Sequence, residues 1–357
     1  FFINLLTSKS GKKNIFNIIV TLAVMLLFIA GSSQINKIFN YILKHSNPIL
    51  STFKAFYAPV GFSVDAIKTG SIFSLFWFIV ISVLPFAVLV YVLSLFYQQS
   101  VTIAGSVKKS KGGKLINSQS GILSALVRKE MSRYFSSYIY VLNTAISPLM
   151  LLFVSIASIF TGKEVLDSFT TNPALLQHIP EFLIAVFTVM LSITATTSSS
   201  ISIEGKNFWI LKSSPLKPTN IFAAKILLHL IIFIPITFIS IIIMAYNLKI
   251  SGFVLLFVFL IPLLNIISSS IMGLIINLLF PKMEWLSEVT VIKQSMSVIV
   301  SMAVNTLLVA IPIVAYTLLR PADFMVFASF VCCYLLLLIF GGIYYLSKKG
   351  TLLFQNI

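Results

Sequence analysis

"SIEGKNFWILKSSPLKPTNIFAAK", Ser202–Lys225, decides the fold. It carries four lysines, one glutamate and a tryptophan, and it lies between two stretches free of charge, Phe182–Ile203 and Ile226–Leu248. Each flank supplies the roughly 20 apolar residues that a helix needs to cross a bilayer. The polar segment is too basic for the lipid core, so it reads as a connection between two membrane spans. Six further charge-free stretches lie outward of it: Asn14–Asn36, Thr69–Val107, Tyr134–Gly162, Ile250–Pro281, Gln294–Leu319 and Phe324–Ser347. The 357 residues are 58% hydrophobic and only 10% charged, with a mean hydropathy of +1.04, where soluble domains carry about 25% charge. The ten-residue alternating segments of a membrane barrel are missing. The expected fold is an all-α polytopic membrane helix bundle with about eight transmembrane helices.

A net charge of +16 could indicate nucleic acid, but its distribution points to a lipid bilayer instead. If each stretch crosses once, 18 of the 25 basic residues fall on the side of Ser202–Lys225, against four of the nine acids. Lys/Arg excess on short loops marks the cytoplasmic side, so both termini are expected in the cytoplasm and nucleic acid is not an expected partner. Lys9–Gly31 has the basic start and apolar middle of a signal peptide, but is read here as a retained span. Ile35–Ala66 spaces Ile38, Phe39, Ile42 and Leu43 helically among lysines, as an outer interfacial helix or a cover over the bundle mouth would. Gly61, Asp65 and Gly70 then loosen the chain, and Pro85 kinks the second span.

Gln98–Gly121 is rich in Ser, Gly and Lys and reads as a cytoplasmic linker. The expected organisation is a two-span region at 1–97, a linker at 98–121 and a six-span core at 122–357. The core opens with "ILSALVRKEMSRYFSSYIYVLN", in which Ile122, Leu123, Leu126, Met131 and Phe135 form an apolar side. Arg128, Lys129, Glu130 and Arg133 form the polar side of this helix, which suits a position along the membrane surface with its bases among the headgroups.

The spans carry no ionisable residue except His229, read as a packing or headgroup-facing side chain. Ion-coupled pumps place charged partners at depth, and an enzyme needs converging catalytic groups; neither pattern is present, and no catalytic, cofactor-binding or metal-ligating residue is expected. Vicinal Cys332 and Cys333 lack metal-ligand spacing and read as buried small apolar residues. Uncharged polar residues do recur: Thr196, Thr197 and Ser199 in the fourth span, Asn265 and Ser269 in the sixth, and Ser297, Ser301 and Asn305 in the seventh. They serve either close helix packing or a hydroxyl-lined path for an amphipathic cargo. "SKSGKK" and "SKGGKL" lack the glycine and Ser/Thr positions of a phosphate-binding loop, so the chain is not expected to hydrolyse ATP itself.

Within the opening stretch, "EGKNFWILKSSP" suits a short helix ended by Pro215, with Phe208, Trp209 and Leu211 as apolar anchors and Lys206 and Lys212 wet. An exposed Trp/Phe pair of this kind fills a partner's pocket or lies on the membrane interface. The surface helix "LVRKEMSRYF", two spans, and then E-G-x-x-(x)-W-x-L-K-x-x-P with a later lysine resemble the ABC-2-type transporter permeases of bacteria. "LLFPKMEWLSEVTVIKQSMS", Leu278–Ser297, is similar to one subgroup of them, and the likeness runs from Leu123 to Lys349.

The resemblance implies a permease subunit of a bacterial ABC exporter in the cytoplasmic membrane. It implies a separate ABC ATP-binding subunit that holds the ATP and Mg, and a second permease, identical or related. Glu204, Phe208, Trp209 and Leu211 then belong to a coupling helix, Trp285 and Glu288 to a second cytoplasmic contact, and Arg128, Lys129, Glu130 and Arg133 to an elbow helix. A peptide or toxin is the favoured cargo, with lipid or polysaccharide as alternatives. A different class, a non-transporting scaffold that recruits a cytoplasmic partner, fits the same basic surface.

Overall fold

The computed structural model describes residues 58–104, 121–170, 178–250, 252–319, 321 and 323–357. Two compact units divide the chain, Val24–Ser118 and Gln119–Ile357, the latter together with Phe1–Ala23. The first of the eight expected spans, most of the outer segment and most of the linker lie outside the described residues. Among those described, every element is helical, and seven stretches are long and apolar enough to cross a membrane. The protein is a multi-pass membrane protein.

In the smaller unit, helix α1 (Ala58–Thr69) precedes α2 (Ile72–Ala104). Gly61 and Asp65 sit inside α1 rather than loosening the chain; the break falls only at Gly70, whose φ is +65°. Helix α2 also runs through Gln98–Ala104, so the first residues assigned to a linker are helical.

The larger unit begins with α3 (Ile122–Ser136), which ends at Ser137 where the backbone turns extended, and α4 (Tyr138–Thr170) follows at once. Next come α5 (Ile179–Ile193), a six-residue helix α6 (Phe208–Ser213), α7 (Pro218–Asn247) and α8 (Phe253–Leu279). A short α9 (Glu288–Ile292), capped by Ser287, leads into α10 (Met296–Leu319). Helix α11 (Phe324–Tyr345), capped by Asp323, passes through a π-helical turn at Leu346–Gly350 into α12 (Thr351–Asn356). Helix α8 is the central rod, with α5, α7, α10 and α11 packed around it.

The fourth expected span, Phe182–Ile203, is not one helix. Fifteen residues of α5 rise about 22 Å, short of the roughly 30 Å hydrocarbon core. The chain then turns extended at Thr194 and Ala195 and continues as two 3-10 turns, Thr196–Ser199 and Ser202–Asn207. Non-helical backbone within a bundle is tolerated only where protein replaces the missing partners. Here side chains from the surrounding elements do so. Tyr140 donates its hydroxyl to the Thr196 carbonyl (2.6 Å), Ser297 to that of Ser198 (2.8 Å) and Trp285 Nε1 to that of Ser202 (3.0 Å). Asn277 Oδ1 accepts from the backbone N–H of both Ile201 (2.7 Å) and Ser202 (3.2 Å), and its Nδ2 donates to the hydroxyls of Ser202 and Ser297. Gly273 of α8 leaves the room: a Cβ there would stand 2.6 Å from Thr197 Oγ1.

Five of the long helices carry an internal proline: Pro85, Pro148, Pro235, Pro262 and Pro312. Proline lacks the N–H that would bond the carbonyl four residues earlier. For Pro148 that carbonyl is Thr144, and the Thr194 hydroxyl from the broken segment bonds it at 3.1 Å. For Pro312 it is Leu308, and the Tyr334 hydroxyl of α11 bonds it at 3.1 Å. Neighbouring helices thus complete two of the interrupted ladders.

Replacing Asn277 by Ala strands two buried backbone N–H groups, each worth about 1–3 kcal/mol. Thermal unfolding in detergent should show Asn277→Ala costing about 3 kcal/mol, and Tyr334→Phe about 1 kcal/mol. Equal melting of the two variants would contradict this ranking.

Candidate functional site

At one end of the larger unit, α3, the second 3-10 turn and the start of α7 bring five charged side chains together. Lys225 lies about two turns into α7 and is completely buried. Its Nζ donates to Glu130 Oε1 (3.1 Å), to Glu204 Oε1 (3.0 Å) and to the carbonyl of Ser200 (2.7 Å). Glu130 and Glu204 are themselves buried. Around them, Lys129 Nζ reaches Glu204 Oε1 at 2.9 Å and Arg133 Nη1 reaches the same oxygen at 2.5 Å. Burial acts to lower the Arg133 pKa, but the charge and hydrogen bond of Glu204 outweigh it and the net shift is upward. The group joins α3, the broken segment and α7 through one buried ammonium.

Helix α3 therefore faces differently from the amphipathic reading. Leu126, Glu130 and Tyr134, four residues apart, form its buried side, while Ile122, Leu123 and Phe135 are exposed together with Arg128. Glu130 belongs to the inward side, because Lys225 of another helix stands there to receive it. Tyr134 bonds Thr144 at 2.9 Å, and its burial pushes the hydroxyl up to about 12 against the opposing effect of that bond.

Beyond Glu204 the chain passes through Gly205, with φ +52°, and a Cβ here would come within 2.8 Å of the Trp285 indole. Both constraints demand glycine. The turn delivers α6, on which the expected exposed Trp/Phe pair is split. Phe208 is 5% exposed and packs edge-to-face on Phe354, and Leu211 is also buried. Trp209 is 65% exposed and Ile210 is exposed beside it. Adjacent helical residues point about 100° apart, so a short helix that seats Phe208 and Leu211 inward must present Trp209 and Ile210 outward. Trp285 is half-buried against the broken segment, leaving Leu286 as the outward apolar side chain of its loop. Glu288, half-buried, accepts a hydrogen bond from the Ser137 hydroxyl at the α3–α4 junction. Exposed lysines ring this end: Lys206, Lys212, Lys217, Lys282, Lys293, Lys348 and Lys349.

The polar residues considered for a path are all buried. Thr196, Thr197 and Ser199 occupy the first 3-10 turn, and Thr196 contacts His229 Nδ1 through both its hydroxyl (3.2 Å) and its backbone N–H (3.3 Å). His229 is fully buried against Phe233 and does not face headgroups. Asn265 Nδ2 donates to the Thr188 carbonyl of α5 (3.0 Å), Ser269 to its own helix, and Asn305 contacts Ser301 at 3.4 Å. Ser297 bonds the broken segment. Cys332 is buried as expected, whereas Cys333 is exposed on α11. No group of three or more His, Cys, Asp or Glu that could hold a metal ion occurs among the described residues.

The inward roles of Lys225 and Glu130 escape sequence reasoning because both sit where a basic, membrane-flanking segment is expected. The available signal was the pair of acids, Glu130 and Glu204, inside otherwise basic stretches.

The family model described as ABC-2 type transporter matches residues 122–301. That range opens on the first residue of α3 and closes within α10. A comparison with curated proteins and another with solved structures found no match.

Breaking a buried ion pair by deleting one partner costs about 3–5 kcal/mol. Lys225→Met should lose stability on that scale in detergent unfolding. Adding Glu130→Gln should recover part of it, since the orphaned carboxylate is then gone. A double variant no better than the single one would show that Glu130 is not the partner left uncompensated.

Proposed function

The chain belongs to the ABC-2 type transporter family, and from that premise we propose that it is the permease of an ATP-driven exporter powered by a separate ATP-binding subunit. It is a membrane component of an ABC transporter, and the family's transport role is not a catalytic one. The observation that carries the proposal is the two-faced α6, bolted to the bundle by Phe208 and Leu211 while Trp209 and Ile210 stand out among lysines. Aromatic side chains in such positions dominate association energies when a partner's pocket takes them.

In this reading the lysine-ringed end is cytoplasmic, in agreement with the positive-inside rule, and the membrane is the bacterial cytoplasmic membrane. Helix α6 is the coupling helix, with Trp209 as its anchor. Leu286, next to Trp285, makes the second contact, and α3 is the elbow helix. ATP and Mg reside in the ATP-binding subunit, and two permeases assemble on two such subunits. Closure of the ATP-binding pair tilts α6. The Glu130–Glu204–Lys225 group passes that displacement to α3 and α7 as one rigid body. Cargo moves along the seam between α8, α10 and the first 3-10 turn once ATP-driven motion parts it, where the now-buried Thr196, Thr197, Ser199, Asn265, Ser269, Ser297, Ser301 and Asn305 supply hydroxyl and amide groups without fixed charge. An amphipathic or hydrophobic peptide or toxin suits that chemistry.

Trp209→Ala should weaken capture of the ATP-binding subunit by about 30-fold, the effect of a 2 kcal/mol anchor. Phe208→Ala should act mainly by lowering thermal stability. Co-purification from detergent extracts, followed by titration of the purified subunit, measures both. Undiminished binding by Trp209→Ala overturns the assignment of the anchor. Binding without ATP-driven loss of a labelled peptide from vesicles indicates a scaffold instead.

A further inference from the structure

We infer that the segment Leu346–Ile357 is a brace that locks α6 to α11, so that displacement of α6 drives α11 as well as α7. This rests on the reading of α6 as the docking helix.

The inward residues of α11 follow a three-and-four spacing through Cys332, Leu335, Ile339, Gly342 and Leu346. The buried face then continues in four-residue steps, Leu346, Gly350 and Phe354. In an α-helix each four-residue step overshoots a full turn by about 40°, so successive steps would swing Phe354 away from the bundle. The π-helical turn at Leu346–Gly350 holds more residues per turn and absorbs the overshoot. The result is a continuous helical rod from α11 to α12 whose inward face is kept in register.

What that register secures is Phe354. Its ring is 3% exposed and lies edge-to-face on Phe208 of α6 (4.9 Å between centroids) and on Phe222 of α7 (5.7 Å). The two contacted phenylalanines flank the Pro215 turn, so one aromatic side chain pins both arms of the connection. Lys212 Nζ adds a hydrogen bond across the gap, to the Gln355 carbonyl at 2.8 Å. Gly350 is buried, and a Cβ there would meet Leu346 at 3.2 Å and Phe222 at 3.5 Å, which shows how closely the rod lies on α7. Helix α6 has six residues, too few to hold a helix by its own hydrogen bonds. Its position is set by what it packs on, and Phe354 supplies part of that packing. The chain enters α7 only four residues after α6, whereas α11, more than 100 residues later in sequence, meets α6 through the Phe208–Phe354 and Lys212–Gln355 contacts of this brace.

The test uses the full chain in nanodiscs, alone and with its ATP-binding subunit. In the chain alone, hydrogen exchange at residues 208–213 should rise about tenfold in Phe354→Ala, and Phe354→Leu should restore most of the protection. In the complex, spin labels at Ser213 and Tyr344, both exposed, should keep one narrow separation before and after ADP-vanadate trapping. In Phe354→Ala, or in a chain ending at Gly350, that separation should shift or broaden on trapping. A second pair, Ser213 and Phe238 of α7, should stay unaltered. Unchanged exchange in Phe354→Ala, or a Ser213–Tyr344 separation in the native chain that shifts on trapping, overturns the brace. Failure of the native chain to bind the subunit refutes the docking reading instead, and the exchange measurement on the chain alone still decides whether Phe354 holds α6.

Discussion

The structure depends on one requirement: every polar backbone group exposed by the break after α5 must find a partner inside the protein. A continuous helix settles that need within itself. Once α5 stops at Ile193 and the chain proceeds through 3-10 turns, carbonyls and N–H groups from Thr196 to Ser202 are released. Tyr140, Lys225, His229, Asn277, Trp285 and Ser297 converge to receive them. These six come from four long helices and one loop, so the break organises the bundle around itself. The close approach at Gly273 and the buried ion group at Lys225 both follow from wrapping this segment.

That arrangement also fixes the short polar connection firmly at its start. The second 3-10 turn leads through Gly205 into α6, and its start is held on several sides. Glu204 is fixed by Lys225, Arg133 and Lys129, and Ser202 by Asn277, Trp285 and the backbone N–H of Lys282. Exposed ion pairs contribute little, because solvent screens them and long side chains lose entropy. Lys225 differs because it has no access to water and holds two carboxylates at once. Such a group is not required for stability alone, since apolar side chains can replace buried pairs at equal or better stability. Its value here lies in geometry, as it fixes three elements in one relative placement.

Much of the fold was legible because hydropathy is a one-dimensional property. Seven of the expected spans appear as apolar helical stretches, six of them as one unbroken helix, since a charge-free run of over 20 residues has few other solutions. The break in α5 was not legible. "SITATTSSSIS" holds neither proline nor glycine, and its hydroxyls read equally as helix-packing residues. Its partners lie at 140, 229, 277 and 297, and pairings across such distances leave no trace in local pattern. At α6 the outward Trp209 could be expected, but the inward Phe208 could not, because the residue that covers it, Phe354, comes almost 150 residues later. Glu130 was misplaced for a related reason: an acid amid arginines and lysines looks solvated until a buried counter-charge is found.

The mended proline gaps bear on how this bundle can bend. An ordinary proline hinge is a private matter, because one rod flexes and its unpaired oxygen simply turns toward whatever is near. In α4 and α10 that oxygen is already held, by Thr194 and Tyr334 respectively. Curvature in either rod is consequently shared property: straightening α10 strips α11 of a bond, and relaxing α4 tugs on the unwound stretch after α5. Flexure in one member registers at once in its neighbour, so shape changes in this assembly should arrive in pairs.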